Sequence, residues 1–300
     1  MHLPLVWPVP LGRHLRETYG EASAVEPLSG MSGAQVYRVR LAGASVIVKG
    51  NVRPAEVLFY EKVAPIVQAH GVPTPYLKWS WHRPESRWIV LEDIPRPFPR
   101  ERWSADPELL AALRRIHAIP VAAVPAWPGM FRPQWTEQMT EAALSCFPML
   151  VAGSLRPLLS SLRGAYAHLF EPACCISGDP NPTNWGLRDD SALVLYDWER
   201  FGYGTPALDL AITIPGLGDD DAFERVAGGY LREQHAAGPA LPTVEQLSRD
   251  IGVAKIWSVV EFLSMYAGGT VANGAATAGH VVRLFPQWVR GIGGMNAPPA

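Results

Sequence analysis

Through residue 93, apolar and polar positions tend to alternate; beyond it they recur at three- and four-residue intervals. Gln35-Val36-Tyr37-Arg38-Val39-Arg40-Leu41 has the period of two of a half-exposed strand. Ala42-Gly43 supplies a turn and Ser45-Val46-Ile47-Val48-Lys49 a second strand, so a β-hairpin is expected. Between Pro54 and Gln68, the positions Val57, Leu58, Tyr60, Val63 and Val67 follow helical spacing, and Pro54 suits a first helical turn. Gly71-Val72-Pro73-Thr74-Pro75 ends that helix, and two more strands are expected over 76–81 and 87–91.

Three prolines in Ile94-Pro95-Arg96-Pro97-Phe98-Pro99 remove backbone donors and push their neighbours to extended conformations, so no regular structure is expected there. This is the expected lobe boundary, with residues 1–93 forming one lobe and 94–300 the other. Helical spacing dominates the second, over 106–118, 136–146, 155–170, 222–233, 244–266 and 278–289, interrupted by a β-and-loop island over 174–198. The pattern predicts an α+β, bilobal protein: a small β-rich lobe, a larger helical lobe, and a cleft between them where a ligand site is expected.

Composition narrows the field. Of 300 residues, 48 % are apolar and 18 % charged, which suits a packed core and excludes disorder. The net charge of −2 lacks the broad basic footprint of a nucleic-acid binder. Cys146, Cys174 and Cys175 have neither disulfide nor zinc spacing, so free thiols in a reducing cytoplasm are expected. Met1-His2-Leu3-Pro4 has no basic-then-apolar pattern, and the apolar run 251–266 contains Lys255 and Glu261. Neither a signal peptide nor a membrane span is expected, hence no membrane partner. Oligomeric state leaves no mark on the sequence.

The densest polar cluster is Ile176-Ser177-Gly178-Asp179-Pro180-Asn181-Pro182-Thr183-Asn184-Trp185. An Asp is followed five positions later by an Asn, and Asp197 comes thirteen residues after that, past the strand 193–196. Phosphoryl transfer needs such a set: one carboxylate to orient an attacking hydroxyl and accept its proton, and other oxygens to hold Mg²⁺ against the phosphates. Asp179 suits the first role; Asn184 and Asp197 suit the second. The competing reading is a set of turn formers, since Asp and Asn favour turns, and for Asn181 alone that reading holds.

This segment resembles the catalytic and metal loops of the aminoglycoside phosphotransferase and choline kinase-like family, distant relatives of protein kinases. The likeness continues through Asp197-Trp198-Glu199-Arg200-Phe201-Gly202, Gly204-Thr205-Pro206 and Asp209-Leu210-Ala211. It implies a bilobal protein-kinase-like fold, with residues 1–93 as the nucleotide lobe and 94–300 as the catalytic and acceptor lobe. It also implies Mg²⁺-dependent, in-line transfer of the γ-phosphoryl of ATP or GTP to a hydroxyl of a small acceptor: an aminoglycoside, a sugar, or a choline-like or amino alcohol. Lys49 then resembles the strand lysine that touches the α- and β-phosphates. Its expected partner is Glu56, with Glu61 the alternative; the two lie about 140° apart around a helix, so only one can face Lys49. Ser32 and Gly33, in Leu28-Ser29-Gly30-Met31-Ser32-Gly33-Ala34, are expected to turn backbone N–H groups to the phosphates. The segment lacks the Walker pattern, which disfavours a P-loop ATPase. Adenine is expected against the backbone of Glu92 and Ile94.

Asp209 either braces the catalytic loop or caps a helix. The family's usual His two positions before the catalytic Asp is Ser177 here, which keeps open a nucleotide-binding module without turnover. A protein kinase is disfavoured because the interval from Asp197 to Asp209 is too short for an activation loop. Asp219-Asp220-Asp221 reads as the acidic first turn of a helix more readily than as an amino-sugar pocket. Trp257, Glu261 and Tyr266 are candidates for the acceptor wall, with core packing the stronger reading for the two aromatics. His117 follows an apolar helical face and is expected in the core.

Overall fold

The computed structural model describes residues 7–28, 35–232, 242–271 and 274–292. The smaller lobe consists of helix α1 (Val9–Tyr19) and strands β1 (Ala24–Leu28), β2 (Gln35–Leu41), β3 (Ala44–Gly50), β4 (Leu77–Arg83) and β5 (Ser86–Glu92). The strands form one antiparallel sheet in the order β1-β2-β3-β5-β4. The expected hairpin is β2–β3, with Gly43 at φ 78° in its turn. Val39, Val46, Val48 and Val90 alternate onto one face and pack with Trp88 beneath Leu11 and Leu15 of α1.

Two elements were not expected. The apolar face of α1 is reduced to Leu11 and Leu15 among arginines, too few positions to declare a period. β1 contains Pro27, which a strand tolerates at the sheet edge, where β1 lies.

The helical run after β3 spans the expected residues but is not uniform. α2 (Pro54–Leu58) passes into a π turn (Phe59–Val63), in which Ala64 N–H donates to the Phe59 carbonyl five residues back, and then into α3 (Ala64–Ala69). Phe59, Tyr60, Val63 and Val67 all join the core of the larger lobe.

The chain crosses to that lobe through β6 (Arg96–Pro97). The expectation of no regular structure at the prolines is corrected here: β6 pairs with the later strand β8, with Arg96 opposite Leu187 and Pro97 opposite Gly186. Two residues suffice because β6 is an edge strand, and Phe98 N–H donates to the Trp185 carbonyl (3.1 Å) just past it. Then come α4 (Pro107–His117), α5 (Glu137–Leu144), α6 (Met149–Ala165), β7 (Cys174–Ile176), β8 (Trp185–Leu187), β9 (Leu193–Leu195), β10 (Gly202–Gly204), α7 (Pro206–Ile212), α8 (Asp220–Leu231), α9 (Val244–Ala267) and α10 (Ala275–Gly291). α6 starts six residues before its expected position, after Pro148, and the short α7 was not expected.

Helix ends follow side-chain chemistry. Asp106 accepts from Glu108 N and Leu109 N (both 3.0 Å), and Thr243 with Gln246 forms a reciprocal capping box. α9 is the hub: Ile251, Ala254, Ile256, Val260 and Leu263 are buried, and α5, α7 and α8 pack on it. Among the described residues no helix is long and apolar enough to cross a membrane.

Contacts among the described residues tie the lobes together, three of them at the hinge side and the helix after β3. The Phe59 ring stacks on Trp198 (4.4 Å between centroids, 10°). Tyr60 OH donates to the Tyr196 carbonyl (3.1 Å). Arg188, between β8 and β9, grips the Glu92 carboxylate with Nε and Nη2, both at 2.8 Å.

Candidate active site

Lys49 lies near the end of β3 and is almost fully buried. Its Nζ stands 2.5 Å from Glu56 Oε1 and 3.7 Å from Asp197 Oδ1. Burial works against the ammonium, but Glu56 and Asp197 outweigh it, and the Lys49 pKa stands above the ordinary lysine value. Burial pushes the Glu56 carboxyl up, against the pull of Lys49. Glu61 faces elsewhere, accepting from Ser80 Oγ (2.6 Å) on β4. Of the two acids the sequence left open, the structure brings Glu56 to Lys49.

The loop after β7 is held from behind. Asp209 on α7 accepts from Ser177 N (2.7 Å), Ser177 Oγ (3.0 Å) and Gly178 N (2.8 Å). His117 Nε2 lies 3.1 Å from the same carboxylate, and its Nδ1 lies 2.8 Å from Tyr230 OH. Asp209 and Ser177 are both fully buried. Ser177 therefore faces the brace and not the cleft, and His117 is a satisfied core residue.

Gly178 has φ 81°, and a Cβ there would come 2.0 Å from the Arg200 carbonyl oxygen. Only glycine fits, because the conformation is left-handed and the obstacle is backbone. Gly178→Ala is expected to displace the loop and cut activity while leaving the helical content unchanged, as activity assays and circular dichroism on one preparation would show.

Asp179 lines the cleft beyond this glycine. Burial raises its pKa to about 6; Arg200 pulls it down, and the Asp197 charge pushes it further up. Asn181 caps the 3₁₀ turn Pro182–Asn184, accepting from Thr183 N (3.0 Å) and Thr183 Oγ (2.8 Å). That turn brings Asn184 back to the loop, where its Nδ2 donates to the Asp179 carbonyl (3.0 Å). Asn184 also lines the cleft.

Asp197 follows β9 by two residues. Its Oδ1 is buried and accepts no protein hydrogen bond. Buried carboxylate oxygens are rarely left so, and a water, an ion or a catalytic role accounts for the exceptions. Oxygens of Glu56, Asp197 and Glu199 lie within 4.8 Å of one another. Burial and Asp197 push the Glu199 pKa up, with Arg53 opposing from 3.8 Å. An orphaned oxygen amid hard carboxylates fits a divalent cation such as Mg²⁺. Sequence reasoning assigned no role to Glu199; the Asp-x-Glu alternation was its only signal.

At the hinge, Glu92 and Ile94 both line the cleft. The Glu92 N–H is donated to the Tyr76 carbonyl (2.9 Å), so that group is committed within the protein. Leu28, Val36, Ile47 and Leu91 form an apolar surface nearby. Ser32 and Gly33 lie outside the described residues. Asp219 is the N-cap of α8, accepting from Ala222 N (2.8 Å), as the helix-start reading has it. Trp257 is buried and donates to the Gln134 carbonyl (2.9 Å), while Glu261 reaches the cleft paired to Arg200 (2.6 Å). Tyr266 is half-buried, packed at the edge of the core.

A model of the phosphotransferase enzyme family matches residues 24–247. No curated protein matches. Solved structures align over nearly the whole chain. Spectinomycin phosphotransferase APH(9)-Ia, in complex with ADP and spectinomycin, is 13 % identical with a TM-score of 0.64, covering 97 % of this chain and 99 % of that one. Choline kinase LicA from Streptococcus pneumoniae is 15 % identical with a TM-score of 0.63, covering 94 % and 98 %. Plasmodium vivax ethanolamine kinase is 12 % identical with a TM-score of 0.59, covering 88 % and 81 %. At these identities the likeness is one of fold, a two-lobed protein-kinase-like architecture.

Proposed function

Because the chain belongs to the phosphotransferase enzyme family, we propose that it moves the γ-phosphoryl group of ATP or GTP onto a hydroxyl of a small molecule. The observation that carries this reading is the convergence of Lys49, Asp179, Asn184 and Asp197 on one cleft, with Asp197 3.7 Å from Lys49. Fold neighbours solved with ADP or AMP support the nucleotide. In this reading Lys49, held in place by Glu56, grips the phosphates. Asp197 and Asn184, joined by Glu199, hold Mg²⁺, which offsets phosphate charge when bound. Adenine lies against the hinge at Glu92 and Ile94, with Ile94 N–H the donor, since that of Glu92 is already used. Asp179 orients the acceptor hydroxyl and accepts its proton. Catalysis is then placement plus charge, with no phospho-enzyme.

The module without turnover rested on Ser177. That side chain is bonded to Asp209 behind the loop, so the substitution leaves the groups facing the cleft intact. Three free thiols keep a reducing cytoplasm as the proposed location. A screen of hydroxyl-bearing metabolites and aminoglycosides for Mg²⁺-dependent nucleoside diphosphate release tests the reading. At least one acceptor is expected to stimulate release; nucleotide binding without release across the panel would favour the non-catalytic module.

The pH dependence has a defined sign. Asp179 acts as a base only when ionised, and its pKa is about 6. In the free enzyme kcat/KM is expected to rise about tenfold per pH unit on the acid side and to level off above that pKa. Stability runs the other way. The folded state holds this proton more tightly than the unfolded chain, so the group's contribution falls as pH rises from the usual 3.8 to about 6.

A further inference from the structure

The cleft encloses about 1900 Å³, whereas pockets for one small molecule run roughly 300–1,000 Å³. The part beyond the nucleotide lobe opens between the loop leading into α8 and one face each of α9 and α10. Phe262 and Met265 stand three apart on α9; Val281, Leu284 and Trp288 stand at i, i+3 and i+7 on α10, so each set is one stripe. These are apolar side chains turned to a cleft: Leu284 is 40 % exposed, and the others are half-buried. Trp288 donates from Nε1 to the Gly218 carbonyl (2.6 Å), which ties α10 to the loop.

Glu261 and Lys255 beside this wall are already engaged within the protein. Glu261 is the one acid that α9 and α10 bring to the cleft among the described residues, and Arg200 holds it at 2.6 Å. Lys255 donates to the carbonyls of Ala211 (3.2 Å) and Ile214 (2.7 Å). His280 is hydrogen-bonded to Arg283 (3.1 Å). Asp219, the N-cap of α8, and Asp220 and Asp221 in its first turn stand at the exposed mouth. Arg200 also donates from Nε to the Gly178 carbonyl (3.1 Å), so the wall begins next to the residue before Asp179.

We infer that the acceptor is a hydroxyl compound with a largely apolar body, seated on the α9–α10 stripe with its hydroxyl toward Asp179. This rests on the phosphotransferase reading. A polycation seated on this stripe would bring ammonium groups against apolar side chains, with carboxylates only at the mouth and at the Asp179 end, and those on the stripe would lose hydration uncompensated. An apolar body instead gains from leaving water, in proportion to the area it buries.

The test measures binding and transfer separately. Aryl-alkyl alcohols and hydroxylated steroids of increasing apolar area, kanamycin and choline are titrated by calorimetry into protein holding Mg²⁺ and a non-hydrolysable ATP analogue. The same compounds are assayed for transfer from labelled ATP. Affinity is expected to climb with apolar area, and Leu284→Glu is expected to weaken it by about tenfold or more, because a carboxylate then faces the apolar body. Leu284→Ser, milder at this exposed position, should give a smaller loss in the same direction; nucleotide affinity reports folding for both. Tighter binding of kanamycin or choline than of every apolar alcohol, or indifference to both Leu284 variants, overturns the inference. Transfer to kanamycin alone does so too, while keeping the phosphotransferase reading. Apolar alcohols that bind while no compound of the set accepts phosphate uphold the pocket and count against the reading beneath it.

Discussion

Asp179→Ala is expected to slow phosphoryl transfer by about 10²–10⁴-fold, the usual contribution of a positioned general base, with nucleotide affinity close to that of the unaltered protein. The two effects separate because of what each carboxylate touches. Lys49 is held by Glu56 and Asp197, and Asp179 takes no part in that pair. Asp197 and Glu199 both push the Asp179 pKa up, so the three charges repel, and removing one does not loosen the other two. Asp179→Asn keeps the shape and the Asn184 contact, which is to the backbone carbonyl. It should lose the same activity and with it the acid limb of the pH profile. Single-turnover transfer to an acceptor found by screening, with nucleotide Kd measured in parallel, decides the matter. Unchanged transfer in both variants would place the base elsewhere.

The largest stability loss is expected at Asp209. Its carboxylate accepts from two backbone N–H groups and one hydroxyl and meets His117, all in a fully buried setting. Asp209→Ala strands these partners away from water. Breaking a buried charged network of this kind costs about 3–5 kcal/mol, and each orphaned donor contributes about 1–3 kcal/mol of that. Ser177→Ala removes a single hydroxyl bond and leaves both backbone bonds, so about 1 kcal/mol is expected. Urea unfolding of the two variants reads the difference directly. Equal midpoints would mean that the loop is held by something other than this carboxylate.

Where the chain announces a period, the fold was legible. Alternation gave β2 and β3, and helical spacing gave α4, α5 and α9 within a residue or two. The set Asp179, Asn184, Asp197 was legible because its spacing suits phosphoryl transfer and resembles the family's catalytic and metal loops, and all three line one cleft. Features that depend on other parts of the chain were not. α7 is seven residues long, too short to show a period, yet it carries Asp209. β6 exists because β8 offers an edge, which the three local prolines gave no sign of. Glu199 joins Glu56 only after two lobes meet. The commitment of the Glu92 amide depends on Tyr76, sixteen positions earlier. Nor did the sequence show that Glu261 arrives at the cleft already neutralised by Arg200.

The π turn at Phe59–Val63 sets the bearing of α3 relative to α2. Upstream of it Glu56 must point at the sheet; downstream Val63 and Val67 must point into the helical lobe. The extra residue reconciles the two bearings, as a vernier offset does between two scales. Winding these residues into regular helix at constant length would swing α3 by about 100° relative to α2. Loop insertions elsewhere on the surface can be absorbed locally, whereas losing the π turn without losing a residue forces a choice between the Lys49 ion pair and the joint between the lobes. Homology grafts between Glu56 and Val67 should therefore keep the π turn, or drop it together with one residue.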